Sequence, residues 1–196
     1  MTKTPENLDV PLGDMRMYIG GAWVESESGK TSRITDPATG KAIGTVPEGT
    51  RGDARKAVAA AVAAEDEMRW MTPAERAAMA TRVVEALERH ADELSRVVSL
   101  EQGKPYHTEG VWEGRACQLF FREAAIDIVR LHGETIPSGD PGKRMHTFWQ
   151  SRGAYAVVTP WNFPYNIPSE YISACIVAGN PVVWVPAPTT SGCAVA

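Results

Sequence analysis

Val157-Val158-Thr159-Pro160-Trp161-Asn162-Phe163-Pro164 is the stretch whose reading decides the fold. Ala154 to Thr159 is a short apolar run rich in β-branched residues, opened by Gly153 and stopped by Pro160, and it reads as a buried strand. Pro160 and Pro164 bracket Trp161, Asn162 and Phe163 and limit the backbone there to extended or turn geometry. A carboxamide on a stiff loop at the end of a buried strand can donate to a developing oxyanion without reorganising first. The plainer reading is that Asn162 caps a turn. These residues alone leave both readings open.

Outward toward the carboxyl side, Ile172, Ile176 and Val177 recur at helical spacing within Ile167–Ala178. Gly179 is a helix stop, and Val182 to Val185 is a second buried-strand run. The order is strand, loop, helix, turn, strand, which is one parallel βαβ unit. Pro160-Trp161-Asn162-Phe163-Pro164, followed at the right distance by Ala178-Gly179-Asn180 and Val182-Val183, resembles the aldehyde dehydrogenase superfamily. Tyr18 to Val46 resembles the start of those proteins as well. There an Ile19-Gly20-Gly21-x-Trp23 hairpin leads to an Asp36-Pro37-Ala38-Thr39-Gly40 turn, and Glu101-Gln102-Gly103-Lys104-Pro105 matches a recurrent segment between two helices.

The fold class this resemblance implies is α/β, the N-terminal part of an aldehyde dehydrogenase-like Rossmann-type cofactor domain with a protruding oligomerisation strand. Its expected divisions are a flexible leader over 1–17, hairpins and helices over 18–143, the oligomerisation strand over 144–152, and the first βαβ over 153–196. The implied activity is NAD- or NADP-dependent oxidation of a small-molecule aldehyde through a Cys thiohemiacetal, hydride transfer and thioester hydrolysis. In that scheme Asn162 holds the oxyanion, Trp161 and Asn162 line the nicotinamide side, and Val158 and Thr159 face the cofactor at the carboxyl end of the strand. The nucleophilic Cys, the general-base Glu and the pyrophosphate turn of such proteins fall beyond the position matching Ala196. The chain therefore reads as an N-terminal portion, inactive when isolated, of a homo-oligomeric parent. Cys193 does not read as the nucleophile, since nothing electropositive stands near it in sequence.

The resemblance fails at two positions. Relatives place a Lys and a Glu around the adenine ribose where this chain has Val185 and Pro188, neither of which can hydrogen-bond a hydroxyl. That departure keeps a second reading alive, a non-catalytic binding or assembly protein that retains the fold.

Composition narrows the remaining classes. With 43% hydrophobic and 22% charged residues the 196-residue chain can bury a core. A net charge of -4, with no basic run interleaved with aromatics, gives no nucleic-acid surface. No apolar run approaches the roughly 20 residues of a membrane span. Cys117, Cys175 and Cys193 are odd in number and lack C-x-x-C spacing, which indicates reduced thiols in a cytoplasmic protein. The four His are scattered, and no metal site is expected.

The helical region reads as three helices. The first, Ala54–Ala64, is capped by Thr50 with Asp53. The second starts at the Thr72-Pro73-Ala74-Glu75 capping box, breaks near His90 and ends at Gly103. The third covers about Thr108 to Leu131, with Gly110 and Gly114 weakening its first turn. Its charged residues read as solvated faces without a catalytic role. His132–Lys143 reads as a loop without the phosphate-binding order, and Met145–Gln150 as a strand.

Overall fold

The computed structural model describes residues 12–196. Both capping boxes form as the sequence requires. Thr50 and Asp53 exchange bonds to open α1 (Arg51–Ala63), and Thr72 and Glu75 do the same for α3 (Pro73–Arg89), with Pro73 in the first turn. A short helix, α2 (Glu65–Trp70), lies between them. The break at His90 starts α4 (Ala91–Gln102), and Gly103, at φ 85°, ends it in the left-handed conformation that glycine adopts without a Cβ penalty. After Pro105 a π-helical turn, Tyr106–Gly110, leads into α5 (Val111–Ile128).

The strands precede and follow this helical layer. β1 (Gly13–Asp14) runs parallel to β5 (Ala42–Pro47), which pairs antiparallel with β4 (Thr31–Thr35). β2 (Met17–Ile19) and β3 (Ala22–Val24) make the expected hairpin, with Tyr18 opposite Trp23. The leader expected over 1–17 is thus strand at Gly13–Asp14 and Met17, while residues 1–11 lie outside the described residues. β6 (Thr135–Ile136), within the expected loop, pairs antiparallel with β7 (Met145–His146). β7 covers two of the six residues expected as strand.

The βαβ unit is present as read: β8 (Tyr155–Val158), α6 (Asn166–Val177) and β9 (Val182–Val185), with the strands parallel and Tyr155 opposite Val182. β8 is less buried than its composition suggests. Val157 is 6% exposed, whereas Val158 is 74% exposed. After β9 a 3₁₀ turn, Pro188–Thr190, opens the short α7 (Ser191–Val195).

Three apolar clusters hold these parts together. Leu94, Val97 and Val98 of α4 meet Cys117 of α5, Tyr165 and Cys193. Leu100 of α4 packs on Ile34, Ile43 and Val46 of the β4–β5 pair. Ala80, Ile128 and Val177 join α3, α5 and α6. α4 and α5 approach closely because Gly114 has no side chain: a Cβ there would stand 2.4 Å from Ser95 Oγ and 2.8 Å from Ala91 O. Among the described residues no helix is long and apolar enough to cross a membrane.

Candidate active site

The carboxyl ends of β8 and β9 lie side by side, and two hydrogen bonds fix their register where the chain leaves them. Thr159 N–H donates to Val185 O at 3.2 Å, and Trp184 Nε1 donates to Thr159 Oγ1 at 2.9 Å. Thr159 is buried, while Val158 and, at 47%, Val185 are exposed, so an apolar strip faces outward beside the strand ends. The amino end of β8 is held equally firmly. Asn180 Oδ1 accepts from the N–H groups of Arg152 and Gly153 at 2.7 and 3.1 Å, and Glu65 Oε1 accepts from Ala154 N–H at 3.0 Å.

From Thr159 the chain turns through Pro160–Pro164 into α6. Trp161 is 56% exposed, and Asn162 is exposed beside it. The Asn162 carboxamide makes no hydrogen bond to another described residue, so it caps no turn. The plainer reading of that residue therefore lacks the bond it requires. Phe163 O accepts from Ile167 N–H at 3.2 Å and Tyr165 O from Ser169 N–H at 3.1 Å, joining the loop to the first turn of α6.

Beneath the loop lies a cluster of charge. Glu113, whose side chain is fully buried, accepts from Lys104 Nζ at 2.5 Å through one oxygen and from Tyr165 N–H at 3.0 Å through the other. The Lys104 ammonium also sits 3.7 Å from the centroid of the Phe163 ring, which meets Trp112 edge-on at 6.2 Å. A second buried carboxylate, Glu101, accepts from Gly192 N–H at 2.8 Å and Cys193 N–H at 2.6 Å. Burial raises its pKa above the ordinary 4.5.

These charges correct the reading of the helical faces. Arg115 and Arg122 are exposed, each paired with a carboxylate on a neighbouring helix, as a solvated face requires. Glu101, Lys104 and Glu113 are buried. A signal was present for one of them, since Glu113, Cys117 and Phe121 recur every four residues and share the buried face of α5.

None of the three thiols is activated. Cys193 is buried, and burial together with neighbouring Glu101 pushes its thiol well above the ordinary range. Burial pushes Cys117 up to about 11 and raises Cys175. Val158 and Trp161 are both exposed. Val185 and Pro188, both exposed where β9 passes into the 3₁₀ turn, offer a ribose no side-chain hydrogen bond.

Known proteins resemble this chain in sequence and fold. The glutarate-semialdehyde dehydrogenase of Pseudomonas putida is 36% identical over 182 residues, which are 93% of this chain and 38% of the relative. The NADP-dependent succinate-semialdehyde dehydrogenase of Escherichia coli is 33% identical over 93% of this chain and 38% of its own length. The solved NAD-dependent aldehyde dehydrogenase of Sinorhizobium meliloti superposes with a TM-score of 0.92 at 31% identity, covering 99% of this chain and 39% of that one. The chain thus spans about 38% of the length of the curated relatives it matches. Its fold is the Rossmann-like N-terminal portion of such proteins. A family model described as the aldehyde dehydrogenase family matches residues 23–196, and the chain belongs to that family.

Proposed function

We propose that this chain serves the NAD- or NADP-dependent oxidation of an aldehyde to a carboxylic acid. It would supply the oxyanion donor and part of the nicotinamide site of a cytoplasmic, homo-oligomeric enzyme. The observation that carries the reading is the Asn162 carboxamide, exposed and unbonded on a loop tied at both ends beside two parallel strand termini. Its Nδ2–H donates to the aldehyde oxygen as negative charge grows there, and a donor already in place loses nothing to reorganisation. Val158, Thr159 and Trp161 present the surface against which the nicotinamide lies. The cofactor, when bound, takes up the hydride. The attacking thiolate is none of Cys117, Cys175 and Cys193, whose thiols are held protonated. For assembly, the exposed Met145, Phe148 and Trp149 at and after β7 offer an apolar contact for a second copy.

Asn162→Ala in the enzyme carrying this chain should cost about 2.7–4 kcal/mol in the chemical step and change cofactor affinity much less. An unchanged rate of NADH or NADPH formation would remove Asn162 from the reaction. A second reading, a non-catalytic binding or assembly protein, draws on the apolar Val185 and Pro188. Absence of any NAD or NADP binding would favour it.

A further inference from the structure

We propose that Lys104 and Glu113 are positioning residues that hold the Asn162 loop. This role rests on the function proposed above. From Trp161 to Asn166, Tyr165 is the one described residue whose backbone N–H finds a protein acceptor, and that acceptor is Glu113. Prolines 160 and 164 have no N–H to offer. Among the described residues Glu113 is therefore the one acceptor that ties an N–H of this stretch to the helical layer. The partner of that carboxylate, the Lys104 ammonium, lies against Phe163, the residue after Asn162. One ion pair thus reaches the chain on the carboxyl side of Asn162 at two points, Phe163 and Tyr165.

The local sequence makes this geometry available. Gly103 reverses the chain in the left-handed conformation, so that Lys104 turns inward instead of continuing the face of α4. Gly114 lets α5 approach α4 closely, which carries Glu113 under the loop. The pair is a poor device for stability alone, because apolar residues of similar volume often replace a buried ion pair without loss. Directional bonds do what an apolar plug cannot, since they fix the height and orientation of a donor. A displacement of about 1 Å at a reacting group can cost roughly 100-fold in rate.

Two double variants separate positioning from bulk stability. Lys104→Met with Glu113→Leu removes both contacts with the loop. Lys104→Met with Glu113→Gln also removes the charges but leaves an amide oxygen to accept from Tyr165. Hydrogen exchange is followed in the peptide spanning 164–169, whose Ile167 and Ser169 amides bond back to Phe163 and Tyr165, with α3 as the internal control. The Met/Leu variant should exchange there about tenfold faster with α3 unchanged, and the Met/Gln variant should stay within roughly threefold of the parent. In the enzyme, assayed with NAD and glutarate semialdehyde as the probe aldehyde, Met/Leu should lower kcat about tenfold or more and leave the KM for NAD nearly unchanged. The proposal is overturned if 164–169 stays protected in Met/Leu, or if α3 loosens equally. It is also overturned if kcat holds in Met/Leu while Asn162→Ala lowers it. Should Asn162→Ala prove silent while the exchange result appears, the oxyanion role falls and the pair stands as the anchor of the loop.

Discussion

Replacing Glu101 by alanine should loosen the end of the chain that follows β9. Glu101 accepts from two buried N–H groups, those of Gly192 and Cys193, and its removal leaves both without a partner. Bonds to a charged acceptor contribute about 1.5–3 kcal/mol each, so the gross loss is about 3–6 kcal/mol. Burial already penalises the carboxylate, as its raised pKa shows, and relief of that penalty offsets part of the loss. A net cost of about 2–4 kcal/mol remains, which lowers Tm by roughly 4–16 °C in a protein of this size. Glu101→Gln keeps one acceptor oxygen and should cost about half as much.

The pH dependence has a definite sign. Because the folded pKa of Glu101 is raised, the folded state binds the proton more tightly than the unfolded state. Its contribution is full below the ordinary 4.5 and is lost as pH rises through the folded value. Urea unfolding followed by circular dichroism between about pH 4 and 8 should therefore show the parent losing stability relative to the Gln variant as pH rises. An alanine variant within about 0.5 kcal/mol of the parent, or a parent-to-Gln difference that stays constant with pH, would refute this account.

Two further outcomes are expected. Val185→Lys with Pro188→Glu should tighten NAD binding by roughly tenfold to a few hundredfold, from two added hydrogen bonds, as read by tryptophan quenching; unchanged or weaker binding would show that these positions do not face the ribose. Asp53 is held at about 2, below the ordinary 3.8, chiefly by the Thr50 backbone N–H, so its contribution is complete above the ordinary value and lost as pH falls through about 2. Asp53→Asn should flatten that acid limb of the unfolding curve, and a parallel limb would contradict the assignment.

What was legible in the sequence was local. Pro160, Gly179 and the two capping boxes act within a turn of their own positions, and each appears where it was read. β1 was not legible, because two residues pairing in parallel with β5 carry no pattern of their own. β6 was hidden for the same reason among the glycines and prolines of a loop. α2 has no buried residue and hence no apolar period to detect. Glu101 and Glu113 were not legible as buried acceptors because the backbone N–H groups they accept from are distant in sequence. Asn162 and its loop, by contrast, stood out in the sequence, since two prolines and a strand end define them locally.

That distance has a consequence for the order of folding. Glu113 meets Tyr165 across 52 residues, and Glu101 meets Gly192 and Cys193 across 91 and 92. Contacts between α4 and α5 close far shorter loops, so the helical layer assembles before these contacts can form. Until the segments that follow β8 and β9 dock, Glu101 and the Glu113 oxygen that faces Tyr165 remain hydrated, while Lys104, nine residues from Glu113, is already close at hand. Docking of each segment must then strip water from the carboxylate oxygen it meets as the bond forms, which places charge desolvation in the late barrier. The early layer thus carries, in hydrated acidic side chains, the acceptors that select which later segment settles on it.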